Sequence, residues 1–153
     1  MTCPCVRLLG KRRYTRNMAH RDWNESCAAG ELPWDTGEPE PLLVEFVSSG
    51  RVQPTRALDI GAGKGTKSIY LAEQGFDVVG IDIAPRAVER AEKKLNGRGL
   101  PCRFAALDIL AGAAEGSPFE FIFDRGCFHV FDESEERAQF VERVAAVLAP
   151  GAL

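Results

Sequence analysis

Apolar positions along the chain alternate between two spacings from residue 55 onward. Residues 55–60 are a short apolar run that stops at a glycine-rich turn, as a buried strand does. Residues 66–74 then space Ile69, Tyr70 and Ala72 for the inner face of a helix, which Gly75 stops. Residues 76–81 read as a second strand. Pro85 stands at a first helical position, and Val88, Ala91 and Leu95 follow at helical spacing until Asn96-Gly97. Residues 103–107 and 119–123 read as third and fourth strands. Asp132 is the expected N-cap of a last helix, with Glu135 completing a capping box and Phe140, Val141, Val144 and Leu148 on one face. Pro150-Gly151 is its expected end. Strand–helix alternation of this kind predicts an α/β fold, a Rossmann-like parallel sheet with helices on both faces.

Upstream of this core, residues 41–47 read as an amphipathic helix with Leu42, Leu43, Phe46 and Val47 toward the sheet. Residues 22–39 read as irregular, although they hold both tryptophans, Trp23 and Trp34.

Charge adds a boundary. Residues 1–21 carry six Lys/Arg and no acid, so the rest of the chain has a net charge of -9 against -3 overall. Residues 1–17 are expected as a disordered basic tail, or as the product of an upstream start with Met18 as the true one. A transit peptide fits less well, because no apolar helix face accompanies the arginines. Residues 18–153 then form the domain. The acidic body speaks against nucleic acid as the main partner. No run approaches the roughly 18 apolar residues of a membrane-spanning helix. Hydrophobic residues at 45% and charged residues at 27% suit a globular protein. The five cysteines are odd in number, show no zinc spacing and follow no secretory signal, so no metal and a reducing cytoplasm are expected.

The chemistry starts at Leu58-Asp59-Ile60-Gly61-Ala62-Gly63-Lys64-Gly65-Thr66. Such a turn brings backbone close to a ligand and offers the N–H groups of a helix start. A P-loop does not fit: neither Lys64 nor Lys67 has both the preceding glycines and the following hydroxyl in register. A dinucleotide fingerprint lacks its third glycine, because Thr66 stands there. The acids at the strand ends, Asp59, Asp82 and Asp108, would line one crevice of the sheet.

Asp59, Gly61, Gly63 and Gly65 match Asp-x-Gly-x-Gly-x-Gly, and here the chain resembles the class I S-adenosylmethionine-dependent methyltransferases. The resemblance implies a cofactor with a cationic ammonium and sulfonium and no phosphate, to which acids are favourable neighbours. It implies cofactor contacts from Asp59, Ile60, Gly61, Ala62, Gly63 and Gly65, from Asp82 and Ile83 at the ribose, and from Asp108 and Ile109 at the adenine. Residues 31–37, Glu-Leu-Pro-Trp-Asp-Thr-Gly, resemble the segment preceding the fold in the thiopurine/thiol methyltransferase branch, where a tryptophan closes over the cofactor. Trp34 is the candidate for it. Residues 123–129, Phe-Asp-Arg-Gly-Cys-Phe-His, resemble the substrate-side motif of that branch. Asp124 and Arg125 are candidates to orient an acceptor, with Arg125 also near the cofactor, and His129 is the candidate proton acceptor. Alternatively Asp124 and Arg125 form a structural ion pair and His129 only packs. Cys127 reads as a small buried hydrophobe.

The resemblance implies methyl transfer to a small nucleophile, sulfur or a similar soft atom. The complete fold has seven strands and only four are found, in the implied order 3-2-1-4. The chain is thus expected to be incomplete at its C-terminus, with the fourth strand an open edge for a monomer or an edge-paired dimer. A cofactor-binding but inactive fragment is the alternative function.

Overall fold

In the computed structural model, which describes residues 22–29 and 36–153, four strands run parallel in one sheet. They are β1 (Arg56–Ile60), β2 (Asp77–Asp82), β3 (Cys102–Ala106) and β4 (Phe121–Asp124), in the order β3-β2-β1-β4. This is the expected Rossmann-like fold. The basic tail, Cys3, Cys5 and Trp34 lie outside the described residues.

Side chains alternate across the two central strands. Leu58, Ile60, Val79 and Ile81 face one side, where they pack with Ile109, Phe119, Phe140 and Val147. Ala57 and Val78 face the other, with Leu43, Leu71, Ala72, Phe76 and Phe121. Both faces of β1 and β2 are therefore apolar, as a covered parallel sheet requires. Each fully buried Leu, Ile or Phe contributes roughly 1.5–3 kcal/mol through removal from water.

Helices α2 (Pro41–Ser48) and α3 (Thr66–Glu73) supply Leu43, Leu71 and Ala72 to the second face. Helix α4 (Pro85–Leu95) buries Ala87, Val88 and Ala91, and α5 (Ser134–Val147) carries Phe140 and Val147 to the first face. Tyr70 and Leu95 are only half-buried. Two positions expected on inner helix faces are solvent-exposed, Leu42 at 72% and Val141 at 57%. On α5 the buried spacing is Phe140 to Val147, two full turns, with Val144 half-buried between them.

Three further expectations are corrected. Residues 22–39 are not irregular throughout, because α1 (Trp23–Ala29) forms there. Asp22 starts it, its carboxylate accepting the Glu25 amide at 2.8 Å. Seven residues are too few to show a helical period, and tertiary contact holds them: Trp23 and Cys27 pack with Ala84 and Ala87 at the start of α4. The capping box at Asp132 does not form. Helix α5 begins one residue beyond its N-cap Glu133, without a side-chain cap, and Arg137 Nε donating to the Phe131 carbonyl at 2.7 Å fixes its entry.

The third correction concerns the outer edge of β4. Helix α5 returns the chain beside it, and the residues after α5 run alongside. The Phe119 amide donates to the Val147 carbonyl and the Ala149 amide to the Phe119 carbonyl, both at 2.8 Å. The Ile122 amide donates to Leu153 and the Leu153 amide to Glu120, both at 2.9 Å. The edge is therefore engaged by the chain's own residues in a parallel sense, the expected result of a strand–helix crossover.

Candidate active site

All four strands point their C-terminal ends the same way, and the candidate residues gather there. The turn after β1 places Gly61, Gly63 and Gly65 at φ of 70°, 57° and 75°, a region that side chains with a Cβ avoid. The three glycines serve different needs. A Cβ on Gly63 would meet nothing within 4 Å, so this is where a ligand has room. A Cβ on Gly61 would lie 3.2 Å from Cys127 Cβ, so the loop after β4 closes on the turn there. At Gly65 it would lie 2.5 Å from the Phe104 ring and 2.9 Å from Ala91, so this glycine serves helix–strand packing.

Asp82, at the end of β2, ties the turn to the sheet. Its Oδ2 accepts the Gly63 amide and its Oδ1 accepts the Ala84 amide, each at 2.9 Å. Each oxygen keeps a lone pair for a further donor. Asp108, beyond β3, accepts the Leu110 amide on Oδ1 at 2.9 Å. Ile83 beside Asp82 is 54% exposed, an apolar surface at the crevice mouth, whereas Ile109 is buried. Ile60 and Ala62 are buried as well.

Asp59 is fully buried within β1. Ser68 on α3 donates its hydroxyl to Asp59 Oδ2 at 2.7 Å, while Oδ1 has no hydrogen-bond partner. Burial pushes its pKa above the usual carboxylate range, against lowering contributions from Lys67 and the Ser68 bond; Asp82 and Asp124 push it further up.

At the end of β4, Asp124 accepts the Cys127 amide at 2.9 Å and the Phe128 amide at 3.0 Å. It thereby starts the short 3₁₀ turn Phe128–Val130. The structural ion pair weighed for Asp124 and Arg125 takes another form: Arg125 Nε donates to Glu40 Oε2 at 2.8 Å, joining the start of α2 to the loop after β4. His129 is exposed. Burial pushes the Cys127 thiol up to about 12, with Asp124, Asp82 and Asp108 adding to the effect. Three carboxylates from three strand ends thus act on one sulfur. The thiol keeps its proton at neutral pH.

The arrangement suits a cation. Three carboxylates, Asp82, Asp108 and Asp124, stand at the strand ends around the glycine turn, while Asp59 lies buried within β1 with its Oδ1 unpartnered. Among the described residues no group of three or more His, Cys, Asp or Glu could hold a metal ion, and no helix is long and apolar enough to cross a membrane. A cavity of about 550 Å³ opens on the outer flank of the turn, lined by Thr36, Gly37, Lys64, Thr66, Arg90 and Lys94. Its basic lining holds none of the four acids, so its chemistry differs from that of the crevice.

Sequence reasoning missed three contributors. Ser68 and Glu40 carried no motif. Gly80 did carry a signal, an isolated glycine inside a strand, which marks close approach. A Cβ there would lie 2.6 Å from the Phe104 ring and 2.8 Å from Ser68 Oγ.

Residues 57–151 match the family model described as a methyltransferase domain. The chain belongs to that family. Among curated relatives it is 35% identical over 130 residues to a probable thiol methyltransferase 2 of Arabidopsis thaliana, covering 84% of this chain and 57% of the relative. It is 33% identical over 125 residues to a 2-heptyl-1-hydroxyquinolin-4(1H)-one methyltransferase of Mycobacteroides abscessus, covering 81% and 54%. The chain thus spans a little over half the length of these relatives. Among solved structures, one concerned with the conversion of a disulfide bond into a thioacetal group during echinomycin biosynthesis superposes with a TM-score of 0.71 at 32% identity, covering 79% of this chain and 50% of the other. The 1,6-didemethyltoxoflavin-N1-methyltransferase of Burkholderia thailandensis, at 24% identity and TM-score 0.70 over 87% of this chain and 57% of the other, shares the fold.

Proposed function

We propose that the chain is the S-adenosylmethionine-binding part of a methyltransferase whose acceptor is a small nucleophile, sulfur foremost. The observation that carries this reading is the hydrogen bond from the Gly63 amide to Asp82 Oδ2 at 2.9 Å, which sets a strand-end carboxylate beside a glycine turn with open space. Bound S-adenosylmethionine supplies an electrophilic methyl group on a positively charged sulfur. Asp82 would hold the ribose hydroxyls with the lone pairs its amide bonds leave over, and Asp108 would accept from the adenine amino group. Ile83 gives the adenine an apolar wall. The amides of the turn would face the methionine end, with Asp59 buried behind them. Trp34 is the proposed cover.

On the acceptor side Asp124 holds the loop in shape, and Arg125 is fixed beside it by Glu40. His129, exposed on the 3₁₀ turn, is the proposed acceptor of a thiol proton. A thiolate needs little more than alignment, and alignment contributes roughly 7–11 kcal/mol in favourable cases. Sulfur as the acceptor atom is supported by the thiol methyltransferase relative at 35% identity and by the disulfide-to-thioacetal structure at 32%. A methyl-transfer assay with isotope-labelled donor against small thiols, hydroxyquinolones and halides tests the reading. Product from thiols alone supports it; product only from an oxygen nucleophile overturns the sulfur assignment. Donor binding without any product favours the cofactor-binding, inactive alternative.

A further inference from the structure

We propose that Glu40 is a positioning residue: it draws the Arg125 guanidinium out of the acidic crevice and so leaves the crevice carboxylates open to a cationic ligand. The proposal rests on the cofactor reading above and adds a residue to which neither motif nor resemblance pointed. Arg125 directly follows Asp124 at the end of β4, and Asp82 and Asp108 stand at the neighbouring strand ends. A guanidinium placed there is attracted to every one of these acids, and a bidentate carboxylate contact is its strongest option. Yet its Nε donates to Glu40 Oε2 at 2.8 Å, on an element 85 residues away in sequence.

Three features make Glu40 the better partner. The Asp124 oxygens are occupied by the Cys127 and Phe128 amides. The Glu40 side chain is only 24% exposed against 53% for Arg125, so the acceptor is the less hydrated end of the pair. Its backbone is also held, because the Glu40 carbonyl accepts the Val44 amide at 3.0 Å in the first turn of α2 and Pro41 follows directly. With Glu40 neutralised, Arg125 is released toward the crevice acids. There it competes with the donor's ribose hydroxyls and adenine amino group for Asp82 and Asp108.

A double-mutant cycle tests this. The unaltered chain, E40Q, R125Q and E40Q/R125Q are titrated calorimetrically with S-adenosylmethionine and S-adenosylhomocysteine. E40Q is expected to weaken binding about fivefold, while E40D, which keeps the charge, recovers most of it. In the R125Q background, removing Glu40 is expected to cost nothing further. Exchange of the Arg125 Nε–H, followed by NMR without ligand, should be faster in E40Q than in the unaltered chain. The same loss with and without Arg125 would make Glu40 a merely structural residue and overturn the proposal, as would unchanged binding in E40Q. Failure of the unaltered chain to bind either compound would instead overturn the cofactor reading, and this proposal with it.

Discussion

The Gly63 amide donates to Asp82 Oδ2 at 2.9 Å, so the one glycine of the turn with open space before it is held by the acid at the end of the next strand. One carboxylate therefore shapes the ligand-binding turn and, in the proposed function, holds the ligand. Asp82→Ala should weaken S-adenosylhomocysteine binding by at least about tenfold, the loss of one or two charge-assisted hydrogen bonds. Hydrogen exchange at Gly63 should also speed up without ligand. Faster exchange with unchanged affinity would leave Asp82 a purely structural role.

Asp59 points to a conflict between stability and function. Its carboxylate is fully buried and one oxygen lacks a partner. Its folded pKa is raised, so it favours folding only while protonated, and that contribution fades as pH rises through the folded value. At neutral pH Asp59→Asn should therefore stabilise the fold in chemical denaturation while weakening donor binding. A variant that loses stability would show that the charge is compensated in the folded state.

Cys127 and Cys102 should make the fold sensitive to alkali. Burial pushes both thiols up to about 12 from an unfolded value of 9.0. The unfolded chain releases these protons first, so stability is fully present below about pH 9 and falls as pH rises toward 12. Thiol reagents at pH 7.5 should modify the half-buried Cys127 slowly, because its thiol keeps its proton. Rapid labelling under native conditions would contradict this picture.

Gly80 and Phe104 are a packing pair in adjacent strands, in register with each other. Gly80→Ala drives a Cβ to 2.6 Å from the ring and should cost about 1–3 kcal/mol by overpacking. Phe104→Leu in the same chain should restore part of it. Additive losses in the double variant would place the strain elsewhere.

The sheet was legible in the sequence because β1 and β2 are buried on both faces and read as short apolar runs between turn residues. The acids at the strand ends were legible for the same reason: a carboxylate that ends an apolar run stands out. Helix α1 was not, since its seven residues are held by Ala84 and Ala87 some 60 positions away. Nor was the pairing of Arg125. Adjacency in sequence suggested Asp124, but the Asp124 oxygens turn to backbone amides, and Glu40, the residue just before α2, supplies the counter-charge. The edge of β4 read as open because 148–153 carry too few residues to show a strand period, and only the crossover through α5 brings them alongside.

Calorimetric titration of the 153-residue chain with S-adenosylhomocysteine, beside the Asp82→Ala variant, tests the central claim most directly. Micromolar binding by the unaltered chain, at least about tenfold weaker in the variant, is the expected result. A cooperatively folded chain that binds no S-adenosylhomocysteine would contradict the assignment of the crevice.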